Sequence, residues 1–441
     1  MLLIFYYNPF FRKNGFRKLL LIGASLGLYA FCEPIYVLLL ISMIIVNYIF
    51  VCLSDRLNTK IFRGLAIIID CAVLLFFKYI NKVLETGLIN AGFSTVAFPI
   101  GLSYFTFKSI SYVVDSSDNK SGNIIDAAIY ISNFLTIVSG PLSKYKEELL
   151  FIREKKPASY NTFYNGFERI IIGLGKKVII ADSLGRLVNQ SFFTSDISVV
   201  LSWTGAIAYT LQLYFDFSGY TDIALGAGEL FGFSLPENFN YPYMADSVSD
   251  FWKRWHMSLT KWFTQYIYIP LGGSRVTVGR HIFNLFVVWL VTGIWHGSNL
   301  TFIVWAMIYF ILQVIEKYTK LSELLNKIHV GHIYTLLVVI IEWVIFRSES
   351  LSFAFTYIKQ MFGFNNNSFC SAGDLAMISK YTIPLVLGII FSTGFGIKIK
   401  HFVSERSIAN IFYNIGLAAL FVICLTIIIS LGYTAPLYAG F

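Results

Sequence analysis

Charge is scarce in this chain of 441 residues: Asp, Glu, Lys and Arg together make up 13%, roughly half their share of an ordinary soluble domain. So little charge cannot coat a water-facing surface, which excludes a string of soluble domains even though the length would suit about three. Cysteine is also scarce, at five residues. Cys32, Cys52, Cys71 and Cys424 lie in apolar runs, no CxxC or Cys/His spacing occurs, and a secreted disulfide scaffold or a zinc module is thereby excluded. No repeat period, low-complexity tract, G-x-G-x-x-G, Walker or G-x-S-x-G pattern is present, and Gly173-Leu-Gly175-Lys176-Lys177 is not a nucleotide fingerprint. Met1 to Phe11 lacks the basic leader and small-residue cleavage site of a secretory signal, and it is too short to span a bilayer.

What the chain has is apolar surface: 56% of residues are hydrophobic and 17% aromatic. At about 20 residues per span, ten to twelve membrane spans with short loops are expected. The fold class is therefore all-α, a polytopic membrane helical bundle forming one domain over 1–441. The excess of 34 Lys+Arg over 25 Asp+Glu, a formal +9, fits positive cytoplasmic loops better than nucleic-acid binding. That bias assigns residues 12–18, 54–63 and the charged loop Lys144 to Lys156 to the cytoplasm, and the Glu33-Pro34 turn to the outside. Pro99 to Val114 carries Lys108 and many hydroxyls, so it should face protein or a water-filled cavity and not lipid.

Three features place polar residues where a bilayer tolerates them only if they are satisfied or used. In Leu211 to Phe233, Asp216, Asp222 and Glu229 interrupt an apolar, glycine-rich helix candidate, with Asp222 and Glu229 on nearly one face. Asp216 and Asp222 are candidate substrate-binding residues; the alternative is ion pairing with Lys or Arg of neighbouring helices. Phe251 to Pro270 reads as one interfacial helix. Trp252, Trp255, Leu259, Trp262 and Tyr266 share an apolar face, Lys253, Arg254 and Lys261 a basic one, and His256 sits at the edge. Its alternative reading is an aromatic-belt helix with an incidental histidine. Ile282 to His296 spans only about 22 Å and ends Val-Thr-Gly-Ile-Trp-His-Gly. His296 is then at a break below the membrane surface, as a buried neutral imidazole suited to general-base work or as a structural histidine bonded to a carbonyl. His329 and His332 have a spacing that can hold a metal, but they lack carboxylate or cysteine company and read as solvated; no metal is expected.

The order of several short motifs adds a further reading. They are Glu33-Pro34, Phe98-Pro-Ile-Gly-Leu-Ser-Tyr-Phe-Thr-Phe107, Gly140-Pro141, Gly175-Lys-Lys with Ala181-Asp182, and Asp216-Phe-Ser-Gly-Tyr-Thr-Asp222. Pro236-Glu-Asn-Phe-Asn-Tyr-Pro242, Phe251-Trp-Lys-Arg-Trp-His256, Tyr268-Ile-Pro-Leu-Gly-Gly273 and Gly293-Ile-Trp-His-Gly297 follow. In this the chain resembles the membrane-bound O-acyltransferase family, and within it the branch of the alginate O-acetyltransferase membrane subunit.

The resemblance implies a helical bundle with re-entrant and interfacial helices around a central funnel or tunnel. It implies His296 as the catalytic base and His256 as the second polar residue, placing the acyl carbonyl or the acceptor. Trp252, Trp255 and Trp295 would wall the tunnel against hydrolysis, and Lys253, Arg254, Lys261, Arg275 and Arg280 would attract the phosphates of the donor. The implied donor is acetyl-CoA on the cytoplasmic side. The acceptor is an extracytoplasmic polysaccharide such as alginate, peptidoglycan or cellulose, reached through a separate SGNH-type partner outside the cell membrane. D-alanyl transfer to teichoic acid is the alternative chemistry; a transporter or a scaffold subunit of a polysaccharide export complex is the non-catalytic one.

Overall fold

The computed structural model describes residues 2–7, 14–87, 95–116, 123–153, 159–194, 197–432 and 434–437. Arg12, Lys13, Lys155 and Lys156, part of the basic clusters used above to assign the cytoplasmic side, lie outside the described residues. The described chain is all-helical, with no strand among the described residues. Among the described residues five helices are long and apolar enough to cross a membrane: Gly15–Cys32, Tyr36–Arg56, Val278–His296, Leu300–Thr319 and Ser407–Leu431. The bent pair Ala372–Ser379 and Thr382–Phe391 makes a sixth if it is one span. Ser407–Leu431 leaves Ile408, Ile411, Phe412, Ile415, Val422 and Ile429 exposed. A continuous apolar face of that kind has hydrocarbon, not water, as its solvent.

The chain divides into two compact units. The first holds the described residues up to 170 and residues 221–237. Its inner element is the helix Leu102–Asp115, in which thirteen residues, from Leu102 to Asp115 with only Val114 left out, are buried. Lys108 faces protein there, as its position among hydroxyls predicts. Its Nζ donates to the Tyr130 carbonyl at 2.9 Å and Thr136 Oγ1 at 2.6 Å and pairs with Glu148 at 3.4 Å. Glu148 also accepts from Asn133 Nδ2 and Ser143 Oγ. The Lys144 to Lys156 stretch is consequently no plain loop: Tyr145–Arg153 is a helix whose Tyr145, Glu148, Leu149 and Ile152 are buried, because the buried ammonium of Lys108 requires the Glu148 carboxylate.

The second unit, residues 171–220 and 238–437, carries every aromatic and basic site candidate and both candidate histidines. The helix candidate read from Leu211 to Phe233 belongs to a longer helix of 32 residues, Val199–Leu230, of which residues 199–220 lie in this unit. The Val278–His296 and Leu300–Thr319 helices form a hairpin. Their close approach depends on glycine: a Cβ at Gly293 would lie 3.0 Å from Ala306 Cβ, and one at Gly297 would lie 2.7 Å from the Phe302 ring.

Candidate active site

His296 is the last residue of a helix of 19 residues, four longer at its start than the apolar run alone suggests and about 28 Å long. The expected break occurs where the motif puts it, and His296 is only 5% exposed. Its ring is enclosed by others: Trp295 at 4.5 Å, Trp305 and Phe346 each at 5.1 Å, and Phe302 at 6.1 Å between centroids. The hairpin supplies Trp305 and Phe302, and the Gly331–Arg347 helix supplies Phe346 and Trp343. Trp343 stands 5.0 Å from Trp255, and Trp252 packs at 5.0 Å on Trp289 and on Tyr309. Trp252, Trp255, Trp295 and His296, four of the residues singled out from sequence, thus belong to one aromatic cluster.

The stretch 251–270 is not one helix, and the expectation of a single interfacial helix is corrected. Val248–Arg254 and Met257–Phe263 are separate short helices, followed by a π-helical turn over Thr264–Tyr268. The break is His256 itself, at φ 44° and ψ 51°, in the left-handed region that costs a non-glycine residue about 1 kcal/mol or more. Contacts from a distant segment hold it there. Asn240 N–H donates to the Arg254 carbonyl at 2.9 Å and Met257 N–H to the Asn238 carbonyl at 2.9 Å. The Asn238 side chain binds the His256 ring at 3.0 Å. His256 is 2% exposed, and burial pushes its pKa down to about 3, so the imidazole is neutral. Phe217 lies edge-on to it at 4.7 Å.

The first of the two short helices is anchored by a residue that sequence reasoning missed. The buried carboxylate of Glu316, on the Leu300–Thr319 helix, accepts from Val248 N–H at 2.7 Å, Ser249 N–H at 2.9 Å and Ser249 Oγ at 2.8 Å. A carboxylate at the end of an apolar run gives no sign from its own sequence of reaching 68 residues back. Asn238 stood within a quoted motif, but its partner is 18 residues away.

A cavity of about 180 Å³ adjoins this region, lined by Trp252, Leu259, Phe263, Leu285, Val288, Trp289 and Thr292 with Thr260, Thr264, Tyr268 and Gln313. Thr292 is one turn before His296. Of the basic candidates, Lys253, Lys261, Arg275 and Arg280 are exposed, while Arg254 is paired with Asp250 at 2.8 Å. The carboxylate candidates are engaged elsewhere. Asp216 takes Lys177 Nζ at 2.7 Å and the Leu437 N–H at 2.7 Å; Asp222, in the first unit, takes Arg169 at 3.0 Å. Arg169 also makes a two-pronged pair with Glu237 at 2.7 and 2.6 Å. His332 Nδ1 lies 3.1 Å from the Ala245 carbonyl.

The family model of the membrane-bound O-acyltransferases matches residues 87–358, a stretch that contains both histidines and the cavity. The chain belongs to the membrane-bound O-acyltransferase family. This O-acyltransferase is 33% identical over 405 residues to the "probable alginate O-acetylase AlgI" of Pseudomonas aeruginosa, covering 87% of this chain and 77% of that protein. It is 32% identical over 406 residues to the peptidoglycan O-acetyltransferase of Helicobacter pylori, covering 82% and 76%. It is 29% identical over 244 residues to the teichoic acid D-alanyltransferase of Bacillus subtilis, covering 50% of this chain and 60% of that protein. The apolar helices and the family together make it a membrane protein.

Proposed function

We propose that this enzyme takes an acetyl group from cytoplasmic acetyl-CoA and passes it across the cell membrane for O-acetylation of an extracytoplasmic polysaccharide. The observation that carries the reading is the enclosure of His296 by aromatic rings at the end of a span-length helix. Acyl transfer from a thioester to a hydroxyl needs a base in a site that excludes water. His296 takes the hydroxyl proton as the oxygen attacks the acyl carbon; the carbon–sulfur bond breaks, and the proton passes on to the departing thiolate. Trp252, Trp255 and Trp295 keep water from the thioester. Acetyl in preference to D-alanyl follows from greater similarity, over more of the chain, to the acetyl-transferring relatives. The reading includes a multi-pass bundle of one functional domain, a tunnel joining the two faces, and an SGNH-type partner that completes transfer. The test is transfer of radiolabel from acetyl-CoA to polymer in membrane vesicles of the producing strain, with vesicles of a deletion strain as background; no difference between the two sinks the reading.

Two further results are expected. If Lys253 and Lys261 attract the donor phosphates, their charge acts through encounter and binding, and such effects weaken with salt. Changing both to Gln should raise the KM for acetyl-CoA several-fold at low ionic strength, less at high, with a smaller change in kcat. An unchanged KM with lowered kcat would place the donor elsewhere. The positive-inside bias of Arg153, Lys155 and Lys156 and of the basic residues around Arg254 supports a cytoplasmic position for Ser159 and Ser274. Cysteines placed there in a cysteine-free background should resist an impermeant thiol reagent in intact cells and react after permeabilisation; labelling of both in intact cells would invert the orientation.

A further inference from the structure

The contact between Asn238 and His256 settles which ring nitrogen carries the hydrogen. The Asn238 atom 3.0 Å from His256 Nδ1 is also 3.2 Å from the Ser258 backbone nitrogen and 2.9 Å from Ser258 Oγ. A backbone N–H can only donate, so that atom is the amide oxygen whichever way the side chain is drawn. An oxygen of that kind only accepts. His256 Nδ1 therefore donates to it, and the neutral ring carries its lone pair on Nε2. Asn238 is fully buried, and its backbone carbonyl takes Met257 N–H at 2.9 Å, so the same residue fixes the left-handed corner and the tautomer.

We infer that Asn238 is a positioning residue that makes His256 a hydrogen-bond acceptor, so that His256 binds a hydroxyl of the acceptor and not the acyl carbonyl. A lone pair on Nε2 is complementary to an O–H and repels a carbonyl oxygen, so the donors that steady the developing oxyanion belong to other groups. His256 transfers no proton in this role; the reacting proton goes to His296. The inference rests on the acyl-transfer reading above and decides between the two roles open to His256.

The test is the radiolabel-transfer assay in membrane vesicles of the producing strain, run against pH for the parent, Asn238→Asp, Asn238→Ala and Ser258→Ala. A carboxylate at 238 still accepts from all three donors and so keeps the corner, but its charge favours the imidazolium. Phe217, Asn238 and Ser258, the neighbours identified around His256, are uncharged, and burial alone holds its pKa down. His256 in Asn238→Asp should then protonate at higher pH and lose its lone pair, so that transfer is lost on the acid side at a higher pH than in the parent. Asn238→Ala should lose about 10–100-fold in kcat with the acetyl-CoA KM within twofold, because His256 does not meet the donor. Ser258→Ala, which keeps the Asn238–His256 bond, should stay within about twofold of the parent. An Asn238→Asp profile that superimposes on the parent's, with turnover retained, would reduce Asn238 to a helix cap and overturn the inference. A raised donor KM in Asn238→Ala would overturn it as well. Absence of transfer in the parent would instead remove the acyl-transfer reading itself.

Discussion

His296→Ala is expected to abolish polymer esterification while the protein still accumulates in the membrane. A positioned general base contributes about 10²–10⁴-fold, and the enclosing rings Trp295, Trp305, Phe302 and Phe346 leave little room for a substitute base. Removing a buried imidazole also leaves a cavity, and large-to-small changes in cores cost about 2–5 kcal/mol. His296→Asn, which retains polarity and more of the volume, separates the two effects: it should accumulate like the parent and be equally inactive. Ester content near the parental level in either variant, with the protein present, would remove His296 from the chemistry. A protein absent from the membrane in both variants would make the residue structural.

Glu316→Ala is expected to have the largest effect on stability. Its carboxylate satisfies the first two N–H groups of the Val248–Arg254 helix and the Ser249 hydroxyl, while Ser247 Oγ takes the third N–H, from Asp250, at 3.0 Å. Removing it leaves the buried Val248 N–H without an acceptor, at about 1–3 kcal/mol, and the two half-buried Ser249 donors at less each, roughly 2–5 kcal/mol in all. The loss reaches the site because this helix carries Trp252 and runs directly into Trp255 and His256. Thermal unfolding in detergent should show Glu316→Ala well below the parent and Glu316→Gln between them, since the amide oxygen still accepts. Activity of Glu316→Ala should fall at temperatures where the protein remains folded. A parental unfolding temperature for Glu316→Ala would mean that this cap does not hold the segment.

Local pattern reached as far as local causes did. Helical class, the break at His296 and the burial of Lys108 follow from apolar runs, a Trp-His-Gly turn and a lysine among hydroxyls, each decided within a few residues. The corner at His256 was hidden because an aromatic face of period 3.6 continues through it, and only bonds from Asn238 and Asn240 overrule that periodicity. The helix at Tyr145–Arg153 was hidden by charge, its Glu148 being drawn inward by a lysine 40 residues earlier. Asp216 and Asp222 were visible as carboxylates interrupting an apolar helix, yet their partners Lys177 and Arg169 lie 39 and 53 residues away, beyond any helical spacing. His296 needed only the end of its own helix; His256 depends on a second, distant segment, and for that reason its tautomer is set by the folded structure and not by local sequence.

The most direct measurement is mild alkaline release of esters from the cell-surface polysaccharides, with the liberated acid identified. Four strains suffice: the parent, a deletion, and the deletion carrying either the wild-type chain or His296→Ala. Acetate should appear in the parent and in the wild-type complement and be missing from the deletion and from His296→Ala. Acetate at parental levels in the deletion, or D-alanine in place of acetate as the acid that is lost, would contradict the proposed reaction.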